Sequence, residues 1–190
     1  MLKQFINQVQ KRKLSKFHKA IFLDRDGIVN EVIMQNGQPS SPENFGELKL
    51  KKGIKTFLDH TRRLGFLNII FTNQPDVARS IIPIKELNKM HRFIKKTLAI
   101  NDIYFCPHDD HHNCECRKPK PGMLLQAIAK WNIDSKKSYT IGDRWKDIEA
   151  GKTIGSKTIL WETQYNQSAN NADFKVDSFL KTLRIIKNHL

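Results

Sequence analysis

The chain has 190 residues, 39% hydrophobic and 27% charged, a balance that fits one folded domain and excludes a disordered chain. No apolar run is long enough to span a bilayer, and three cysteines cannot all pair with one another, which argues against a disulfide framework. A net charge of +14 favours anionic partners, whether phosphorylated metabolites, nucleic acid or an acidic surface.

Residues 1–19 carry Lys3, Lys11, Arg12, Lys13, Lys16 and Lys19 and no acid, with Leu2, Phe5, Ile6 and Val9 at helical spacing. The segment reads as a basic amphipathic extension without the continuous apolar stretch of a secretory signal. The folded domain then spans 20–190. Ala20-Ile21-Phe22-Leu23 reads as a buried strand that runs into Asp24-Arg25-Asp26-Gly27. Asn30 to Lys49, with Gly37, Pro39, Pro42 and Gly46, reads as a long loop above the carboxyl end of that strand. Residues 53–64 place Ile54, Phe57, Leu58, Thr61 and Leu64 at helical spacing, and Gly65 ends the helix.

Leu67 to Phe71 is the second strand, continuing into Thr72-Asn73-Gln74. Pro83 opens a helix with Leu87, Met90, Ile94 and Leu98 on one face. Ile103-Tyr104-Phe105 is a third strand, delivering Cys106, and Pro121 opens a helix with Leu124, Leu125 and Ile128 expected inward. Ser138 to Ile141 is a fourth strand ending at Gly142-Asp143, followed by a helix through Ile148 and Ile154. Thr158 to Leu160 and Phe174 to Val176 complete the strands, with a polar surface loop at Gln164–Asn171 between them. A last helix carries Phe179, Leu180, Leu183 and Ile186. Strands alternating with helices predict an α/β fold: a single Rossmann-like domain, a mostly parallel sheet with helices on both faces, and no large cap domain.

In such a sheet the carboxyl ends of the strands open on one side, where ligands bind. Four of those ends carry polar groups: Asp24 and Asp26, Thr72 and Asn73, Cys106 with the loop to Lys118, and Asp143. The set suits phosphoryl transfer. One carboxylate can attack phosphorus, and a second can protonate the leaving oxygen and later deprotonate water. Asp24 and Asp143 can hold Mg²⁺ through oxygen ligands. Thr72 can donate to a phosphoryl oxygen, and Lys118 can bring positive charge to the equatorial oxygens. Cys106-Pro107-His108 followed by Cys114-Glu115-Cys116 supplies three thiols and an imidazole, the donor set of a closed, structural Zn²⁺ site in a reducing compartment, with His111 and His112 left as loop surface.

Asp24-Arg25-Asp26-Gly27, Thr72-Asn73, Lys118 and Gly142-Asp143-Arg144-Trp145-Lys146-Asp147 resemble the four motifs of the haloacid dehalogenase superfamily of phosphatases. The resemblance covers Lys19 to the end. It implies that Asp24 is the nucleophile, Asp26 the acid/base, and Thr72 and Lys118 the phosphate-holding pair. It also implies a Mg²⁺ held by Asp24, Asp143 and the main-chain carbonyl of Asp26. Asp147 is expected to orient the site or cap its helix. The zinc loop and Arg117-Lys118-Pro119-Lys120-Pro121-Gly122-Met123, with Thr72-Asn73-Gln74 and Val77-Ala78-Arg79, resemble the D-glycero-D-manno-heptose-1,7-bisphosphate 7-phosphatases and their histidinol-phosphate phosphatase relatives. That resemblance implies substrate contacts from Asn73, Arg117 and Arg144. It also implies a cytoplasmic, monomeric enzyme of nucleotide-heptose and lipopolysaccharide precursor synthesis acting on a small phosphorylated sugar. Pro75-Asp76 and Ser80 depart from the pattern and bear on substrate preference.

Three other readings compete. Histidinol-phosphate phosphatase shares the zinc loop. A polynucleotide 3′-phosphatase would suit the charge, but the zinc loop and the lack of an aromatic–basic stacking stretch argue against a nucleic-acid partner. A zinc-stabilised binding domain would not need every catalytic group.

Overall fold

The apolar run before Asp24 forms the central strand of the sheet, because its side chains alternate between two buried faces. The computed structural model describes residues 17–165 and 171–190. The expected helix of the basic segment lies outside them, as does 166–170 of the polar loop.

The strands are β1 (Lys19–Leu23), β2 (Ile33–Gln35), β3 (Gln38–Ser40), β4 (Phe66–Asn73), β5 (Asp102–Cys106), β6 (Tyr139–Gly142), β7 (Lys157–Trp161) and β8 (Phe174–Val176). The α-helices are α1 (Ile54–Arg63), α2 (Ile84–Thr97), α3 (Gly122–Trp131), α4 (Trp145–Thr153) and α5 (Phe179–Asn188). Six strands make one sheet in the order β5-β4-β1-β6-β7-β8, every pair parallel. The register sets Lys19 beside Phe66 and Leu23 beside Ile70 on one flank of β1, and Leu23 beside Ile141 on the other.

Each face of the sheet has its own core. Ile21 and Leu23 pack with Phe57 and Phe179 in the first, and Ala20 and Phe22 with Met123, Leu124 and Ala127 in the second. In the first core the rings of Phe57 on α1 and Phe179 on α5 stack at 4.9 Å, which clamps the two helices on the same side of the sheet.

The structure corrects three details. The long loop after β1 contains a β-hairpin, β2–β3, in which Gln35 pairs with Gln38 across Asn36-Gly37. Both turn residues have positive φ, 50° and 76°, the requirement of a type I′ turn that Asn-Gly meets at least cost. Leu125 points to solvent, 52% exposed, since α3 buries Met123, Leu124 and Ala127 and the next position lies a quarter-turn or more away. Leu180 is turned outward for the same reason, while Phe179, Thr182 and Ile186 face in.

Phe57→Ala should remove the clamp between α1 and α5 and cost about 3–5 kcal/mol, the usual range for truncating a buried phenylalanine. Urea unfolding of the two proteins measures it.

Candidate active site

Chain connections leave β1 towards β4 on one side of the sheet, while β6 lies on its other side. The crevice between the carboxyl ends of β1 and β6 is therefore the point where the winding reverses, the place where open α/β sheets bind ligands. Asp24 follows β1 and Asp143 follows β6, and the Asp24 N–H donates to the Ile141 carbonyl at 2.9 Å, locking the two strand ends together.

Lys118 enters this crevice from the loop after Cys116. Its Nζ lies 2.8 Å from Asp24 Oδ1 and 2.6 Å from Asp147 Oδ1, and it donates to the Phe71 carbonyl at 3.2 Å. Asn73 holds the backbone of that loop in place: its Oδ1 accepts from the Lys118 N–H at 3.0 Å and its Nδ2 donates to the Lys118 carbonyl at 3.2 Å. Asp147 stands in the first turn of α4 and accepts the Arg144 N–H at 3.0 Å, capping the helix. Gly142 makes room for it, since a Cβ there would sit 2.2 Å from the Asp147 Cβ. Gly27 has φ +89° and its Cβ would strike Asp143 Oδ2 at 2.3 Å, so the Asp-Arg-Asp-Gly turn closes on Asp143 only with glycine.

Three buried carboxylates, Asp24, Asp143 and Asp147, meet one ammonium, Lys118. Burial and the excess negative charge act together on Asp24 and Asp143. Burial pushes Asp24 up to about 7 despite Lys118, with Asp147, Asp143 and Asp26 adding repulsion. Burial and Asp147 push Asp143 up to about 6 against the hydrogen bond from Tyr165. Lys118 loses stability of its charge to burial, yet Asp147 and Asp24 push it up to about 12. Tyr165 donates to Asp143 Oδ2 at 2.7 Å, whereas Asp143 Oδ1 is buried with no hydrogen-bond partner among the described residues. An unpartnered buried carboxylate oxygen, in a pocket that needs about two positive charges, fits a divalent cation with oxygen ligands. Carboxylate oxygens of Asp24, Asp143 and Asp147 lie within 4.8 Å of one another. Both Asp147 oxygens already serve Lys118 and the helix cap.

Asp26 lives in a different environment two residues on. Arg25 grips it through Nε at 2.9 Å and Nη2 at 3.0 Å. Asn30 Nδ2 donates at 2.9 Å, Ser41 Oγ at 2.8 Å and Gln74 Nε2 at 2.8 Å. Burial would raise this carboxyl, but the Arg25 charge and the bonds from Arg25, Asn30 and Ser41 hold it below the usual carboxylate range. Sequence reading had missed Arg25, Asn30, Ser41, Gln74 and Tyr165. Arg25 and Gln74 stood inside the sequence motifs, as the residue between the two aspartates and the residue after Thr72-Asn73, without a role of their own.

Cys106 at the end of β5 meets His108, Cys114 and Cys116. The three sulfurs lie 3.1–3.5 Å apart, and His108 Nδ1 is 3.3 Å from Cys116 Sγ and 3.6 Å from Cys106 Sγ. Three soft thiols and one imidazole converging on one point fit a structural Zn²⁺. His112 Nδ1 instead accepts the Asp109 N–H at 3.2 Å, and His111 is exposed.

The crevice opens into a cleft of about 460 Å³ lined by Asp24, Asp26, Thr72, Asn73, Arg117, Lys118 and Arg144. The hairpin supplies one wall through Gln38, Pro39, Ser40 and Ser41. The arginines at its rim differ. Arg79 is paired to Asp109 by two bonds of 2.6 and 2.9 Å, and Arg117 to Asp110 at 2.5 Å. Arg144 donates to a neutral acceptor, the Pro39 carbonyl, at 3.1 Å.

Two outcomes follow from these charges. A carboxyl raised in the fold is neutral there below its shifted value, so the metal-free protein should lose stability as pH rises from about 4 to about 7. Mg²⁺ must displace that proton, so its affinity should be about a hundredfold weaker at pH 5 than at pH 8, read by calorimetry and by the Mg²⁺-induced rise in Tm. A Cys114→Ser, Cys116→Ser double variant should lose bound zinc by metal analysis. The loop to Lys118 should become protease-sensitive, while β1 and β6 stay folded.

The HAD-hyrolase-like family model matches residues 115–184. The chain is 37% identical over 153 residues to the D-glycero-beta-D-manno-heptose-1,7-bisphosphate 7-phosphatase of Helicobacter pylori, covering 77% of this chain and 84% of that one. It is 34% identical over 187 residues to the Haemophilus influenzae protein of the same name, covering 90% and 97%. Its fold matches the crystal structure of the D,D-heptose 1,7-bisphosphate phosphatase of B. bronchiseptica complexed with magnesium and phosphate, with a TM-score of 0.77 at 22% identity, over 90% of this chain and 99% of that one. With its acids, lysine and thiol cluster set on that fold, this chain belongs to the heptose-1,7-bisphosphate 7-phosphatase family of the haloacid-dehalogenase-like hydrolases.

Proposed function

We propose that the chain removes the 7-phosphate of D-glycero-D-manno-heptose 1,7-bisphosphate, as a cytoplasmic monomer that feeds nucleotide-heptose and lipopolysaccharide precursor synthesis. The observation that carries this reading is the Asp24 carboxylate, held 2.8 Å from Lys118 at the floor of the cleft. An oriented carboxylate beside a fixed cation is the arrangement for attack on a phosphate ester. The thiol cluster suits a reducing compartment. The folded domain is taken as 20–190, with 1–19 as an extension.

Asp24 attacks phosphorus through a carboxylate oxygen, the P–O bond to the sugar breaks, and the leaving oxygen takes a proton from Asp26, which is ionised in the free site and receives that proton from the monoanionic phosphate ester as it binds. Water then attacks the aspartyl-phosphate, Asp26 takes its proton, and the bond from phosphorus to Asp24 breaks to release inorganic phosphate. The proton that Asp26 gives in one half is the one it recovers in the other. Thr72 donates to a phosphoryl oxygen, and Lys118 faces the equatorial oxygens. A bound Mg²⁺, held by Asp24, Asp143 and the Asp26 carbonyl, would supply positive charge against the phosphate dianion. Zn²⁺ on Cys106, His108, Cys114 and Cys116 would fix the loop that carries Arg117 and Lys118. In this assignment Asn73 acts on the substrate side of the cleft through the same amide that holds the Lys118 backbone.

Substrate choice rests on the rim. Arg79 and Arg117 are paired with Asp109 and Asp110, so of the three arginines Arg144 is the one most able to meet a second substrate anion. A bisphosphate gains from it and the cationic side chain of histidinol phosphate does not.

Asp24→Asn should abolish turnover with the fold retained by circular dichroism; substantial activity in that variant would sink the covalent mechanism. In a phosphate-release screen, kcat/KM should be higher for heptose 1,7-bisphosphate than for histidinol phosphate or a 3′-phosphorylated oligonucleotide. Arg144→Ala should shrink the ratio between the first two about tenfold, the usual worth of one charged contact, with less effect on an aryl phosphate.

A further inference from the structure

Gln74 is fully buried below the cleft, between the group expected to bind phosphate and the group expected to move protons. Its Nε2 donates to Asp26 Oδ2 at 2.8 Å and to Thr72 Oγ1 at 3.0 Å, and its Oε1 accepts from Arg25 Nη2 at 2.9 Å. All of its polar atoms are committed, so the amide has one orientation: reversed, it would point N–H groups at a guanidinium that can only donate. Arg25 is fixed in turn. It is fully buried, and its Nη1 lies 3.3 Å from His91 Nε2 on α2. That nitrogen must accept, so the imidazole is neutral, and burial together with Arg25 holds His91 down to about 3.

One amide therefore fixes two catalytic neighbours on different strand ends. On Thr72 it occupies an acceptor position of the hydroxyl, which leaves the O–H proton to point elsewhere, into the cleft that Thr72 lines. On Asp26 it is one of five donor contacts that hold the carboxylate in place.

We propose that Gln74 is a positioning residue for the phosphatase reaction, aiming the Thr72 hydroxyl proton at the phosphate and holding Asp26 in its proton-accepting orientation. The inference rests on the phosphatase reading given above. It requires that loss of the amide affect binding and proton transfer together. Without the Thr72 constraint the phosphate is held less well, and without one of its five donor contacts the Asp26 carboxylate is less firmly oriented.

The test uses p-nitrophenyl phosphate, whose hydrolysis needs no sugar contacts, at saturating Mg²⁺. Gln74→Leu should lower kcat about tenfold or more, as loss of an oriented donor does, and raise KM for the ester. Gln74→Glu keeps the acceptor for Arg25 at nearly the same size and so serves as a second variant. Its carboxylate captures the Thr72 proton, and it should raise KM as well. A merely structural role would lower Tm and leave kcat and KM of the folded enzyme, assayed well below its Tm, where they were. Folded variants with kcat and KM within about threefold of the parent overturn the inference alone. A parent protein that hydrolyses neither this ester nor the bisphosphate overturns the phosphatase reading and the inference with it.

Discussion

A buried ammonium held between two buried carboxylates sets the terms for everything around it. Lys118 Nζ, 4% exposed on its side chain, spans 2.8 Å to Asp24 and 2.6 Å to Asp147. Removing either side of such an arrangement leaves an uncompensated charge in a medium that solvates it poorly, a loss of about 3–5 kcal/mol. The fold therefore commits a strand end, a helix cap and a whole loop to holding three groups within reach. Asn73 fixes the backbone of the lysine, α4 fixes Asp147, and β1 fixes Asp24. The thiol cluster ends at Cys116, one residue before Arg117 and two before Lys118, so the chain that delivers the ammonium starts from it.

The two aspartates of the Asp-Arg-Asp turn are separated by one residue and by opposite electrostatics. Asp24 is surrounded by carboxylates and burial, which favour its neutral form. Asp26 is surrounded by donors, which favour its anion. The two neighbouring acids therefore stand in opposite charge environments before any cation or substrate enters. Arg25, the residue between them, points away from Asp24 to build the donor shell of its neighbour. The two sides of the turn thus share a backbone without sharing a charge environment.

Much of this was legible in the sequence because it lies at strand ends. Strand-like segments that stop at Asp24, Thr72, Cys106 and Asp143 announce both the strands and the face that they open upon. The paired spacing of Cys106, His108, Cys114 and Cys116 announces one metal position, and the same four side chains converge. What the sequence hid is whatever depends on packing between distant segments. Ser41 and Asn30 stand in what reads as a loop, yet both reach Asp26. Tyr165 reads as part of a polar surface stretch, yet it bonds Asp143. Arg79 and Arg117 read as free cations because their partners, Asp109 and Asp110, belong to a loop whose path is set by the metal site. Leu125 and Leu180 read as core because hydrophobicity alone does not say which side of a short helix meets the sheet.

The cleft has a dry floor and a wet rim, and ionic strength acts on the two unequally. Exposed charges lose most of their mutual attraction beyond a Debye length of about 8 Å in physiological salt, while buried pairs are screened far less. Lys118 and its carboxylates belong to the floor, and Arg144 with the half-exposed Arg79 belongs to the rim. Salt can therefore tune the pull that the rim exerts on an anion, and it leaves the buried pairs of the floor almost untouched. A change of ionic strength alters how the cleft draws charged molecules in without altering the charges that wait at its floor.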